Sequence, residues 1–398
     1  MPDLLSIDEA LEQILARARP LTGEEVPLEV AAGRYLAEPA RAAVDLPPFA
    51  SSAMDGYALR AADAPATLPI VEQVAAGRPA ARPLRAGEAA AIATGGVVPE
   101  GADAVVPVEY VVVHDNQVEV RDEVAVGANV RPRGGDVRSG AVVVDAGTWL
   151  GPAQVGALAA VGVATVVCAC RPRAALLTTG TELRRPGEPL SPGQIYESNG
   201  PMLEAQLRSA GAEVERLPPV EDDPAAHRNA LARALEADLV VTSGGVSVGP
   251  HDLVRRVEAD LGVEEVFWRV AVKPGKPISF GVRGATLVFG LPGNPVSALV
   301  GFELFVRPAV AALQGAAGPG PRFEVGRLAT TLRRNPARDE LVRARGTTRA
   351  NGTMLEPVSG QESHMIVRAA AANALVLAPR GDGELAAEES VRYLPLDS

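Results

Sequence analysis

Between Arg173 and Gly315 the chain alternates short apolar runs with amphipathic stretches. Residues 174–178 and 239–241 carry no charged position, as strands buried on both faces require. Further strands are expected at 214–217, 278–282 and 286–289, and near 266–272. Between them lie helix signals. Ser198-Asn199-Gly200-Pro201 opens one helix, which Gly211 closes, and Asp223 with Pro224 in the first turn opens the next. A third starts at Asp252 and stops at Gly262. A fourth, apolar, has Asn294 as N-cap and Pro295 at its first position and reaches Leu313. Such alternation predicts a doubly wound, mostly parallel sheet, with ligands held beyond the carboxyl ends of its strands. Three turns lie at such ends and are expected to converge on one crevice: Thr179-Gly180-Thr181-Glu182, Ser243-Gly244-Gly245 and Gly290-Leu291-Pro292-Gly293.

The flanking segments have other textures. Ser6 and Glu9 form a capping-box pattern for an amphipathic helix to about Arg19. Residues 43–140 are rich in turns and β-like runs, with a short hairpin at His114-Asp115-Asn116. Segments 1–42 and 141–171 bracket that insert and read as one discontinuous α/β unit. The Gly/Pro-rich stretch from Gly315 to Pro321 is a linker. The expected architecture is therefore an α/β multidomain chain. A central doubly wound, mostly parallel domain (172–318) is joined by the discontinuous unit, a β-rich insert (43–140) and a small C-terminal β domain (319–398).

Length changes little: 398 residues suit two to four such units. Charge excludes more. A net charge of −11 argues against nucleic acid or an anionic membrane as partner, so an anionic ligand needs a local site. Cys168 and Cys170 are too few and too close to staple the fold, which fits a reducing compartment. No leader pattern and no uninterrupted 18-residue apolar run is seen, and a cytoplasmic location is expected. Of 38 basic residues only two are lysines, Lys273 and Lys276, both inside Lys-Pro-Gly-Lys-Pro. Ammonium is a compact point charge and guanidinium a wide fork, so the pairing points to a site for two small cations.

Paired glycines let a backbone approach an oxyanion closely. Carboxylates at the same strand ends (Glu182, Asp222, Asp223, Asp252) suit a hard divalent cation such as Mg²⁺. Together they suggest metal-assisted chemistry on a phosphorylated ligand. No Gly-x₄-Gly-Lys-Ser/Thr loop is present. Gly245-Val246-Ser247-Val248-Gly249 matches a nucleophile elbow, which leaves a serine hydrolase as an alternative. Its partners would be His251, too near in sequence, or His364, in another domain. Otherwise His114, His227 and His364 read as surface or turn histidines. A non-catalytic pterin or nucleotide carrier is a third class. Asp55-Gly56 alone reads as a tight turn.

Six segments in order carry a family likeness: Ser52-Ala53-Met54-Asp55-Gly56-Tyr57; Thr94-Gly95 with Pro99 to Asp103; Thr179 to Leu183; Ser243 to Gly249 with Asp252; Lys273 to Pro277; and Leu291 to Pro295. The chain resembles the molybdopterin molybdenumtransferases, the family that includes the gephyrin E domain. The resemblance implies insertion of molybdenum into adenylylated molybdopterin with release of AMP, the last step of molybdenum cofactor synthesis, in a homodimer. It implies molybdate as co-substrate, Mg²⁺ as cofactor, and transient contacts with other proteins of cofactor synthesis. By the same resemblance Asp55 and Thr94 complete the site across the dimer. Glu182, Asp222 and Asp252 hold metal or position the phosphoanhydride, with Asp136 a weaker candidate. Lys273 and Lys276 offset oxyanion charge. Ser243, Gly244, Gly245, Pro292, Gly293, Asn294 and Pro295 line the ligand, and Arg343 and Ser363 meet molybdate.

Overall fold

The structure, a computed structural model, describes residues 4–220, 223–245 and 253–396. Its centre is a six-stranded sheet in the spatial order Glu213–Arg216, Arg173–Thr178, Leu239–Ser243, Thr286–Leu291, Ser279–Arg283, Glu264–Trp268. The first three pairings are parallel and the last two antiparallel, so the sheet is mixed, with an antiparallel edge. Alternate side chains feed two cores, as a pleated strand requires. Ala174, Leu176, Leu239 and Val241 join the larger core, under Asn199–Ser209 and the long helix. Ala175, Leu177 and Val240 join the smaller one, under Pro224–Ala234 and Leu253–Asp260. The long helix, Pro295–Leu313, is apolar enough to span a membrane, but most of it is buried inside the protein. It is a core helix, with a π-helical turn at Phe302–Val306.

The N-terminal helix, Ile7–Leu15, has the expected capping box. It ends four residues earlier than its pattern suggests. It also does not belong to the discontinuous unit: Ile7, Ala10 and Ile14 are buried in the central core. The backbone ties it there too, since Ala271 N–H donates to Leu5 C=O at 2.7 Å. The discontinuous unit is built instead by two antiparallel pairings, Gly23–Pro27 with Thr165–Ala169 and Ala40–Arg41 with Val142–Val144. They close over a small core of Val26, Leu36, Leu150 and Leu158. Strand Gly23–Pro27 escapes a sequence reading because only Val26 of its five residues is buried. His227, expected at the surface, is only 1% exposed on its helix.

The insert is a six-stranded sheet with one core on each face. The C-terminal unit closes on itself. Asp339–Arg349 pairs with both Gly352–Pro357 and Ala374–Ala378, which completes a small barrel without free edges. One extra strand enters it from the central unit: Val272–Lys273 pairs in parallel with Asp339 and Glu340.

Gly56, read as part of a simple turn, has a sharper reason to be glycine. It sits in strand Gly56–Leu59, where a Cβ would lie 2.1 Å from the Val106 carbonyl oxygen. Gly56→Ala is expected to cost about 1–3 kcal/mol, the usual range for overpacking. Urea unfolding measures this; a variant as stable as the parent would show that the two strands can separate freely.

Candidate active site

Thr178, Ser243 and Leu291 are direct register partners across three adjacent parallel strands. The three turns that follow them therefore leave the sheet side by side. They open into one crevice of about 740 Å³, lined by Thr179, Gly180, Glu182, Ser243, Gly244, Gly245 and the Pro292-Gly293-Asn294-Pro295 segment. That size suits a nucleotide-like ligand. Gly244 and Gly245 have φ of +94° and +69°. A Cβ on Gly244 would come 2.7 Å from the Thr179 carbonyl oxygen, so the two turns touch only because that residue is glycine. The Gly244 N–H is engaged within the fold, donating to Leu291 C=O at 3.1 Å.

The floor of the crevice was not foreseen as chemistry. Asn199, read only as a helix opener, donates from Nδ2 to Ser243 Oγ and to Gly293 C=O, both at 2.8 Å. A carbonyl can only accept, so the amide orientation is set by its partners. Ser243 Oγ in turn donates to Pro292 C=O at 3.4 Å. One buried amide thus ties two of the three turns together. Beneath it, the Glu197 carboxylate is 1% exposed. It accepts from the Gly200 N–H and pairs with Arg216 at 2.5 Å. The signal was present in the sequence as Ser198-Asn199-Gly200, read for helix geometry alone, with Glu197 just before it passed over.

The C-terminal barrel supplies another part of the lining. Ser363 Oγ accepts from Asn294 Nδ2 at 3.0 Å, and Ser363 C=O accepts from Val296 N–H at 3.0 Å. Asn294 stands at the N-cap position, but its side chain makes this link instead of capping the helix. His364, expected to be an ordinary surface residue, lines the crevice with Ile366. Arg343 has a different place from the one expected. It is 1% exposed, and Nη1 donates to Met365 C=O at 2.9 Å while Nη2 donates to Gly360 and Glu362 C=O at 2.8 and 3.2 Å. Nε reaches Gln361 Oε1 at 3.3 Å. The guanidinium is engaged in folding the loop that carries Ser363 and His364, and burial lowers its affinity for its proton.

Glu182 is exposed on the crevice rim. Asp222, Asp252, Ser247 and His251 lie outside the described residues. Among the described residues no three acidic, histidine or cysteine side chains gather as a metal cluster. Asp223 caps the helix Pro224–Ala234, accepting from Ala226 N–H at 2.7 Å. Asp136 sits in the insert's closing turn, where its N–H donates to Leu46 C=O. The lysine segment contributes Pro277 to the crevice lining. Lys273 Nζ pairs with Glu340 of the barrel at 3.0 Å, and Lys276 is exposed. Asp55 and Thr94 meet on the insert: the carboxylate accepts from Thr94 N–H at 2.7 Å and Oγ1–H at 2.9 Å. Those donors, the backbone N–H foremost, hold the Asp55 carboxyl below the usual carboxylate range. Neither residue lines the crevice of its own chain.

Comparison with known proteins agrees along the chain. Three family models match in sequence order: MoeA N-terminal region (domain I and II) over residues 5–162, probable molybdopterin binding domain over 175–312, and MoeA C-terminal region (domain IV) over 325–396. The chain is 41% identical over 322 residues to molybdopterin molybdenumtransferase 2 of Mycobacterium tuberculosis, which covers 77% of this chain and 78% of that one. It is 35% identical over 403 residues to the molybdopterin molybdenumtransferase of Haemophilus influenzae, covering 99% of each. A molybdopterin biosynthesis MoeA protein of Pyrococcus horikoshii has the same fold, with a TM-score of 0.86 and 29% identity over 99% of this chain and 100% of that one. The hydrolase reading gains no support: none of these relatives is a hydrolase.

Two outcomes are expected. Arg343→Leu strands three carbonyls of the 360–365 loop. It should destabilise the protein by about 3 kcal/mol, several lost buried hydrogen bonds at ~1 kcal/mol each, and speed amide exchange there; unchanged exchange would remove the positioning role. Thr94→Val deletes one donor to Asp55. The Asp55–Thr94 contact stabilises above the ordinary carboxylate range and is lost as pH falls through the lowered value, so the variant's Asp55 should titrate at higher pH by carbon-detected NMR.

Proposed function

The chain belongs to the molybdopterin molybdenumtransferase family, and from that membership we propose that it inserts molybdenum into adenylylated molybdopterin and releases AMP. One observation carries this reading: the three strand-end turns, all in segments of the family likeness, and the loop of Ser363 and His364 border a single crevice large enough for a nucleotide. A transferase needs its donor and acceptor held together rather than a nucleophile of its own. The close-approach glycine at 244 and the buried Asn199 amide give such a rigid holder. A charged, doubly anionic ligand needs local cations, because the chain as a whole is negative. Lys276 is exposed one residue before Pro277 of the crevice, and Lys273 sits on the strand shared with the barrel. Lys276 is suited to offsetting charge on molybdate and phosphate, and Lys273 would have to leave Glu340 to join it.

Mg²⁺ fits the same reading. The Glu182 carboxylate, exposed at the rim, is the hard oxygen donor that this ion takes, and Asp222 and Asp252 are the expected co-ligands. A bound Mg²⁺ would polarise the phosphoanhydride oxygens of the adenylylated pterin. The chain's own residues orient that ligand against the turns and exclude water from its floor. The Asp55–Thr94 pair, remote from its own crevice, is proposed to complete the crevice of a partner subunit in a homodimer. A cytoplasmic setting and passing contacts with other proteins of cofactor synthesis belong to the same proposal, with no role for nucleic acid or membrane.

Molybdate-dependent AMP release from adenylylated molybdopterin tests the reaction. Lys276→Ala and Glu182→Gln should each lower kcat/KM by about 100-fold, the scale for losing one charge-stabilising group. Glu182→Gln should also weaken Mg²⁺ binding by calorimetry. A parent protein that binds the ligand without releasing AMP would make it a carrier. The shared site has its own test. Mixing Asp55→Ala with Lys276→Ala subunits should restore activity that each variant alone has largely lost, whereas a site confined to one chain gives no rescue.

A further inference from the structure

We propose that the Tyr196 ring is the stacking platform on which the crevice holds the flat heteroaromatic ring of its ligand, adenine or pterin. The identity of that ligand rests on the transferase reading. Among the described residues Tyr196 is the single Phe, Tyr or Trp lining the crevice. The chain has only 14 such residues, so an aromatic left 46% exposed inside this crevice calls for a reason. Packing does not supply one, since the residue is left open to water.

The ring is held in place without being covered. Its hydroxyl donates to Glu188 C=O at 3.0 Å across the loop that it closes. Its backbone lies in a short parallel ladder with Arg184. On either side of it, Ile195 N–H donates to Glu182 C=O at 3.0 Å and Glu197 N–H to Arg184 C=O at 2.8 Å. A hydroxyl that is tied back leaves the ring face, and not the phenol oxygen, as the part offered to a ligand. The crevice is also lined by Pro292, Gly293 and Pro295, which are uncharged and present no donor side chain. An anchored aromatic and uncharged proline surfaces in one crevice suit a flat ring, whereas phosphate and molybdate need the turns and lysines. Stacking of a base on an aromatic is worth about 1–3 kcal/mol by alanine substitution, roughly 5- to 150-fold in affinity.

The test is calorimetric binding to the full-length protein of three probes: AMP, metal-free molybdopterin and ringless pyrophosphate. Tyr196→Ala should weaken at least one ring-bearing probe by about tenfold and leave pyrophosphate unchanged. Loss for AMP alone identifies adenine as the stacked ring; loss for molybdopterin alone identifies the pterin. Tyr196→Phe, which keeps the ring and loses only the Glu188 tie, should stay within about threefold of the parent. The proposal fails if neither ring-bearing probe weakens, or if pyrophosphate weakens as much. A melting curve for each variant separates these results from misfolding. Molybdate-dependent AMP release by the unmodified protein is measured beside them: its absence would sink the transferase reading while the stacking result still stands.

Discussion

Register is the constraint on which the rest of this structure depends. Thr178, Ser243 and Leu291 are level with one another across three parallel strands. In a parallel sheet every strand end of one polarity falls on the same edge, so level partners place their following turns within touching distance. Close approach then demands glycine at Gly244, and the buried Asn199 amide can span from one turn to the next. A slip of one residue in any of the three strands would turn its side chains to the other face and exchange the two cores. The clean division of Ala174 and Leu176 from Ala175 and Leu177 shows how firmly that register is held.

Arg343 illustrates how burial redirects a charged residue. An arginine near a candidate oxyanion site invites a direct ionic role. Yet a guanidinium sealed from water must satisfy its donors locally, and here the nearest acceptors are carbonyls of a loop with no regular structure. The result is a loop made rigid from the inside by one side chain, with Ser363 and His364 displayed on its outer surface. The charge serves geometry at one remove from the crevice.

Much of this was legible in the sequence, for identifiable reasons. The central domain announced itself because its strands are buried on both faces and its helices carry proline or glycine at their ends. The three turns were legible because the rule about carboxyl strand ends needs no side-chain detail. The insert and the barrel were visible only as β-rich texture, since pairing order depends on contacts far apart in the chain. Strand Gly23–Pro27 was illegible because a polar strand with one buried residue has no period to detect. The docking of helix Ile7–Leu15 on the central core was hidden for another reason: its amphipathic stripe says that it packs, not against what. Asn199 and His364 were missed because each has an ordinary local role that accounts for its presence without a ligand, and Tyr196 because a lone aromatic in a turn-rich loop carries no period to read.

The strand Val272–Lys273 crosses between two units and hydrogen-bonds into the barrel. A side-chain contact between units can yield by rotating a torsion, but a backbone ladder cannot yield without breaking. The spacing between the lysine segment and the Ser363 loop is thus inherited from main-chain geometry, much as a dovetail fixes two boards regardless of their finish. Exchanging this barrel for that of a distant relative would change the crevice even if every lining residue were kept. Chimeras in this architecture should carry Val272–Lys273 across with the barrel, so that the shared strand and its partner travel together.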